Sequence, residues 1–138
     1  MKALVIGCGR VGAAVANALH AQGWDIVAVD ESEEALTRLG EHWPGGFVLG
    51  PALDAAVLES AGIADADAVV VATDGDNTNL VVAQVAKLRY RVPSVSVRVL
   101  DPARAAFYAD RDLRIVCPTT DAIEALVHAA LATGAKAG

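Results

Sequence analysis

The sequence predicts a single α/β domain over residues 1–138, with helices on both faces of a doubly wound, parallel six-stranded sheet. Short apolar runs alternate with segments of helical length along the whole chain. The first run leads directly into the glycine-rich segment Gly7–Gly12. The hydrophobic fraction of 54%, much of it Ala and Val, suits a sheet that small-residue helices cover on both sides.

The strands are expected at the apolar runs. A helix-length segment separates each run from the next, so right-handed crossovers make neighbouring strands parallel. The six strands form two consecutive groups of three, each with its connecting helices. Two such groups predict the strand order 3-2-1-4-5-6, with strands one and four adjacent where the winding reverses. Ligands bind at the carboxyl ends of those two strands, here beside residues 7–12 and 73–77. The predicted strands are Ala3–Ile6, Ile26–Val29, Phe47–Leu49, Ala68–Ala72, Val95–Val99 and Ile115–Val116.

The helices are expected between the strands, and capping residues mark their ends. In chain order, the capping positions are Gly23, Asp54, Gly62, Asp101 with Pro102, and Asp121 with Glu124. The last pair resembles a capping box that opens the final helix, residues 120–133. The first helix has a predicted buried stripe of Val11, Ala14, Val15, Ala18 and Leu19.

The glycine-rich segment fits the Rossmann-type dinucleotide-binding pattern, because it follows a strand and opens an amphipathic helix. Its first glycine permits a tight turn, its second lets the backbone approach a pyrophosphate, and its third lets the helix pack on the sheet. Free N–H groups at the helix start attract phosphates. The alternative is a glycine-rich connection without a ligand. The candidate binding residues in this segment are Gly7, Cys8, Gly9, Arg10, Val11 and Gly12.

Asp30 ends the second strand, about 20 residues beyond the glycines, where such domains place the carboxylate that binds the adenosine ribose. A carboxylate there accepts hydrogen bonds from both ribose hydroxyls and repels a 2′-phosphate, so NADP is disfavoured. The alternative is that Asp30 caps the following helix, a role for which Ser32 competes.

Thr73, Asp74 and Arg98 are further candidates for nucleotide binding. Thr73 and Asp74 follow strand four beside the glycine segment, where they either contact the nucleotide or form a turn that caps the next helix. Arg98 stands in an otherwise apolar strand and needs a partner, either a carboxylate such as Asp74 or Asp101 or a ligand phosphate. Arg10 is either solvated or a phosphate contact that reaches a neighbouring subunit.

Composition and spacing argue against several classes of protein. A net charge of −6 is unsuited to binding nucleic acid. No apolar run reaches the ~18 residues of a membrane span, and no signal peptide precedes Gly7, so a soluble cytoplasmic domain without membrane insertion is expected. Cys8, Cys117 and the three histidines share no metal-binding spacing, and the cysteines suit small buried positions. Without a catalytic set or a substrate domain, the chain is not expected to be an enzyme.

Several segments together make the chain resemble the N-terminal nucleotide-binding domain (TrkA-N or RCK domain) of Trk/Ktr-type potassium-uptake regulators. The pattern Ala-Gly-Ile-x-x-Ala-Asp-x-Val-Val-x-Ala-Thr over residues 61–73 is more specific to that family than the glycine motif. The other matching segments are VIGCGRVG at 5–12, DNTNL at 76–80, VRVLDP at 97–102 and IVCP at 115–118.

The resemblance implies a cytoplasmic regulatory subunit that binds NAD(H) or ATP/ADP and gates a membrane potassium-translocating partner at the inner face of the membrane. It implies nucleotide contacts from Gly7–Val11, Asp30, Thr73–Asp74 and Arg98, with Arg10 directed at a second subunit. The chain departs from the family in having Gly50-Pro51 where Gly-Asp is usual after strand three. The chain also ends without the C-terminal ligand-binding domain that is usual in the family, so it is expected to be either a shortened chain or a short-form subunit.

Two alternative functions remain at this point: the cofactor domain of an NAD-dependent dehydrogenase lacking its catalytic half, and a structural domain that binds no ligand. Self-association as a dimer or a ring of dimers is expected, because two helices carry more apolar surface than one domain needs. These residues are Leu80, Val81, Val82, Val85 and Leu88 on one helix, and Ile123, Leu126, Val127, Ala130 and Leu131 on the last. The alternative is that the last helix packs on strand six of its own domain; in the family it crosses to a partner.

Overall fold

The computed structural model describes residues 1–134 and confirms the predicted sheet. Six parallel strands stand in the order β3-β2-β1-β4-β5-β6, and a helix follows each of them. The strands are β1 Lys2–Ile6, β2 Asp25–Asp30, β3 Gly46–Leu49, β4 Ala68–Val71, β5 Ser94–Arg98 and β6 Arg114–Val116. The helices are α1 Arg10–Ala21, α2 Glu34–Leu39, α3 Ala55–Ser60, α4 Asp76–Leu88, α5 Pro102–Tyr108 and α6 Pro118–Gly134.

The centre of the sheet is buried on both faces, as its continuous apolar sequence predicts. In β1, Leu4 pairs with Val27 of β2 on one side and with Val69 of β4 on the other. Side chains alternate along each strand, so one core forms on each face of the sheet. The strand that leads into the glycine segment is therefore held rigidly in the middle of the molecule.

Helix α1 packs on the sheet through small residues, which corrects the predicted stripe. Its buried residues are Gly12, Ala13 and Ala16, with Val15 and Leu19 half-buried, whereas Val11, Ala14 and Ala18 are exposed. The reason is the third glycine: a Cβ added to Gly12 would lie 1.7 Å from the carbonyl oxygen of Gly7. The helix approaches the loop so closely there that its contact face centres on glycine and alanine.

The helix caps at Asp54 and Asp101 are confirmed, since each carboxylate accepts a hydrogen bond from a backbone N–H in the first turn. The expected capping box at Asp121 and Glu124 is wrong. Helix α6 begins at Pro118, because proline is well suited to the first helical turn, and the N–H of Asp121 already donates to the carbonyl of Cys117.

Helix α6 extends away from the domain. Every residue from 121 to 133 is exposed, including Leu126 at 71% and Leu131 at 68%. The alternative in which this helix packs on strand six of its own domain is therefore wrong. On α4, Leu80 and Val82 are buried and Val81 and Leu88 are exposed. No helix in the described part of the chain is long and apolar enough to cross a bilayer.

Candidate functional site

A cavity of about 320 Å³ opens at the carboxyl ends of β1, β2 and β4. This is the position where the winding of the sheet reverses, as the topology predicts. Three segments supply most of its lining: the glycine loop after β1, the turn after β2, and the loop after β4. The polar and glycine residues of the lining are Gly7, Cys8, Gly9, Asp30, Glu31, Ser32, Arg38, Gly50, Thr73, Asp74, Gly75 and Thr78.

The three glycines of the loop have different structural environments. Gly7 has a φ of +88°, and a Cβ there would lie 2.5 Å from the amide nitrogen of Thr73. Gly12 packs against the carbonyl of Gly7. A Cβ on Gly9, by contrast, would meet no atom within 4 Å. The fold therefore explains the first and third glycines, whereas the open space above the second is available to a ligand.

Gly9 also caps α1, and no side chain bonds the N–H groups of the first helical turn there. Such N–H groups have no partner within a helix and carry the positive end of its dipole. A phosphate beside Gly9 would meet both features. Arg10 and Val11 are exposed on this first turn and do not line the cavity, and Gly12 lies beneath the loop.

Asp30 connects the glycine loop to the turn after β2. Its Oδ2 accepts a hydrogen bond from the N–H of Cys8 at 2.7 Å, and its Oδ1 accepts one from the N–H of Ser32 at 2.9 Å. Ser32 Oγ accepts from the N–H of Glu34 at 3.2 Å, so Ser32 and not Asp30 serves the start of α2. The carboxylate lines the cavity and keeps further lone pairs for a ligand.

Cys8 contributes its backbone to the cavity wall. Its thiol is buried near the carbonyls of Val5 and Val29. Burial raises the pKa of this thiol to about 12, and the nearby charge of Asp30 acts in the same direction. The thiol therefore stays protonated at neutral pH and is no nucleophile. Both cysteines are free, and Cys117 is only half-buried.

Arg38 is a cavity residue that the sequence analysis missed. Its Nη1 donates to the carbonyl of Cys8 at 3.4 Å, and its Nη2 lies 3.6 Å from Glu34 Oε2. The predicted site residues lie in segments that follow strands and at the ends of strands β2 and β5, whereas Arg38 reaches the cavity from the far end of α2. The available signal was its spacing of one helical turn from Glu34, which places both side chains on one face.

Thr73 and Asp74 both line the cavity, beside Gly7. Thr73 also has a structural role, because its N–H, its hydroxyl and its carbonyl all bond the side chain of Asn79. The carboxylate of Asp74 is exposed. The alternative role, a turn that leads into α4, is present at Thr73, because its Oγ1 accepts a hydrogen bond from the N–H of Gly75, the capping residue of α4, at 3.3 Å.

Arg98 lies behind the wall formed by Thr73 and does not line the cavity. Its Nη2 donates to the carbonyls of Ala72 at 3.1 Å and Thr73 at 2.8 Å, and lies 3.6 Å from Asp74 Oδ1. Of the two carboxylate partners considered, Asp74 is therefore the one in contact. Six of the ten candidate residues line the cavity: Gly7, Cys8, Gly9, Asp30, Thr73 and Asp74.

Comparison with known proteins identifies similar sequences and folds. The TrkA-N domain model matches residues 3–118. The Streptomyces coelicolor Trk system potassium uptake protein TrkA is 34% identical over 136 residues, which are 99% of this chain and 61% of that protein. The chain thus spans less than two thirds of this curated relative.

Two solved structures have the same fold. The TrkA-N domain of the Escherichia coli inner membrane protein ybaL superposes with a TM-score of 0.81 at 18% identity, covering 92% of this chain and 94% of that one. A Shewanella denitrificans Kef C-terminal domain in an AMP-bound form gives a TM-score of 0.79 at 26% identity, covering 96% and 81%. Both similarities extend over nearly the whole chain and so include the elements that form the cavity.

Proposed function

The chain belongs to the TrkA-N domain family, and from this premise we propose that it is the nucleotide-sensing module of a potassium-uptake regulator. Its ligand is an adenine nucleotide, NAD(H) or ATP/ADP. The observation that carries the proposal is the pairing of the open space at Gly9 with the Asp30 carboxylate in one cavity. The similar Kef domain has AMP bound, which supports the same ligand class.

The nucleotide is proposed to lie across the glycine loop. Its phosphates meet the N–H groups at the start of α1 beside Gly9, and its ribose hydroxyls donate to Asp30. Mass spectrometry of nucleotides released from the purified protein tests the ligand class directly. Recovery of no adenine nucleotide, together with no binding of added NADH, ATP or ADP by calorimetry, would overturn the proposal.

The ribose end of the cavity disfavours NADP, although it contains an arginine. Asp30 and Glu31 line it with two negative charges, and Arg38 supplies one positive charge that Glu34 already approaches at 3.6 Å. Unit charges 4 Å apart interact by about 4 kcal/mol at the effective dielectric of a protein surface. A 2′-phosphate therefore meets more repulsion than attraction, whereas a free 2′-hydroxyl donates to Asp30.

Asp30→Ala should weaken the binding of NADH or ADP by about 10–100-fold, from a micromolar Kd, because a charged hydrogen bond contributes ~1.5–3 kcal/mol. Isothermal titration calorimetry measures the change. Asp54→Ala, which removes a carboxylate cap from α3 outside the cavity lining, is the matched control and should leave the Kd unchanged. Equal affinity of the wild-type protein for NADPH and NADH would contradict the role of Asp30.

A second candidate function is the cofactor domain of an NAD-dependent dehydrogenase. The glycine loop followed by Asp30 favours it, because dehydrogenases share this pairing. Against it, the curated relative is named for potassium uptake. We expect no oxidation of NADH by this domain with small 2-oxo acids, measured at 340 nm in absorbance and compared with denatured protein. Sustained turnover above that control would favour the dehydrogenase.

In the proposed regulator, nucleotide occupancy changes the arrangement of subunits and thereby gates a potassium-translocating protein in the membrane. The domain is proposed to act at the cytoplasmic face through that partner. Self-association through α6 supplies the second subunit, toward which the exposed Arg10 is proposed to reach. A subunit arrangement that differs between NADH and ATP or ADP is the expected signature, measurable by small-angle scattering.

A further inference from the structure

Asn79, in the first turns of α4, is the buried polar residue of the described chain, with an exposure of 0%. Burial of an amide is unfavourable unless its hydrogen-bonding groups are satisfied. All the hydrogen-bonding groups of the Asn79 amide are satisfied. Its Oδ1 accepts from the N–H and the hydroxyl of Thr73, and its Nδ2 donates to the carbonyls of Thr73 and Arg98. A fully satisfied buried amide holds its partners in one geometry.

Three of these four hydrogen bonds go to Thr73, which lies two residues beyond Val71, the last paired residue of β4. The amide of Asn79 pairs with both backbone groups of Thr73, as a neighbouring strand would. Thr73 in turn lies directly against the glycine loop, since a Cβ on Gly7 would be 2.5 Å from the Thr73 nitrogen. Asn79 therefore fixes the contact between two neighbouring loops that both line the cavity.

The fourth hydrogen bond, to the carbonyl of Arg98 at 2.9 Å, extends this attachment to the end of β5. Asp76, three residues earlier on α4, accepts from the N–H groups of Leu100 and Asp101. The start of α4 thus joins the loop after β4 to the turn after β5. This arrangement leaves Thr73 little freedom to move independently of the sheet.

We propose that Asn79 is a positioning residue of the nucleotide site, which keeps Thr73 against Gly7 in the geometry that binds the ligand. The inference rests on the proposed nucleotide-binding function. Asn79 does not line the cavity and acts only through Thr73. Without it, Thr73 samples other positions, and the apparent affinity falls in proportion to the fraction of molecules with the competent geometry.

Asn79→Ala should raise the Kd for ADP or NADH by about tenfold or more, measured at a temperature well below the melting transition of the variant. Asn17→Ala is the matched control, because Asn17 also donates two hydrogen bonds to backbone carbonyls but outside the cavity lining. The control should lower the melting temperature and leave the Kd unchanged. A solely stabilising role for Asn79 predicts the same result for both variants.

Asn79→Ser replaces the amide by a shorter side chain whose hydroxyl can bond at most one group of Thr73, and it provides the decisive measurement if Asn79→Ala does not fold. An intermediate Kd is expected for it. Wild-type affinity in a folded Asn79→Ser or Asn79→Ala protein overturns the inference and leaves the proposed function intact. Failure of the wild-type protein to bind ADP and NADH overturns the proposed function itself, and the positioning role with it.

Discussion

Gly12→Ala should both destabilise the domain and abolish measurable nucleotide binding. The added Cβ would lie 1.7 Å from the carbonyl oxygen of Gly7 and 2.8 Å from its carbonyl carbon, so backbone must move. Gly7 is itself fixed between the carbonyl of Val29, to which its N–H donates, and the Thr73 segment. We expect a loss of on the order of 3 kcal/mol in the free energy of unfolding, the upper end of typical overpacking in a core.

Urea unfolding followed by the fluorescence of Trp24 and Trp43 measures that loss, and calorimetry measures binding. Gly9→Ala is the informative counterpart. A Cβ at this position would meet no protein atom within 4 Å, so the variant should lose much less stability than Gly12→Ala, about 1 kcal/mol or less, because alanine is a poorer helix cap than glycine. The same Cβ occupies the space proposed for phosphate, so we expect affinity to fall by about 100-fold, or roughly 2.7 kcal/mol.

The two variants separate the glycine that the fold requires from the glycine that the ligand requires. If Gly9→Ala binds ADP and NADH with wild-type affinity, phosphates do not approach the loop there, and the proposed binding geometry is wrong. If Gly12→Ala is as stable as the wild-type protein, α1 can withdraw from the sheet at low cost. The second result would be incompatible with the close packing of Gly12 against Gly7.

The topology and the position of the cavity were predictable from the sequence because they depend on patterns within short segments. Apolar runs separated by helix-length segments determine a parallel sheet, and handedness then determines the strand order. Gly7–Gly12 and Asp30 were recognisable because their chemistry is local to the ends of adjacent strands. Their meeting in one cavity follows from strand order alone.

Arg38 and the role of Asn79 were not predictable, because both depend on how helices are placed in three dimensions. Arg38 reaches the cavity only because α2 lies alongside the glycine loop, and Asn79 is buried only because the start of α4 packs between two loops. The buried face of α1 was wrongly predicted for a related reason. Large apolar residues dominate a periodicity pattern, whereas close helix–sheet contact requires small ones such as Gly12 and Ala16.

Helix α6 should make the protein a dimer or a larger ring at micromolar concentration. Four large apolar side chains form a stripe along it, with exposed fractions of 53–71%: Ile123, Leu126, Val127 and Leu131. Full burial of such side chains is worth about 1.5–3 kcal/mol each, so roughly 6–12 kcal/mol is available to an interface. Among the described residues, none of the same chain covers the stripe. A second copy presents an identical stripe, which suits a symmetric contact.

Replacing Leu126 and Leu131 together by glutamate should give a monomer in analytical ultracentrifugation, because an apolar interface would then have to bury two carboxylates from each chain. Ala125→Glu adds a carboxylate to the opposite face of α6 and should leave the assembly unchanged. Because α6 contributes so little to the core of its own domain, the monomeric variant should remain folded. As a monomer, it should unfold at a temperature that does not depend on protein concentration. Two results together would contradict this role: the wild-type protein is a monomer at micromolar concentration, and a variant truncated after Pro118 stays folded. They would show that the stripe is neither an interface nor part of the core.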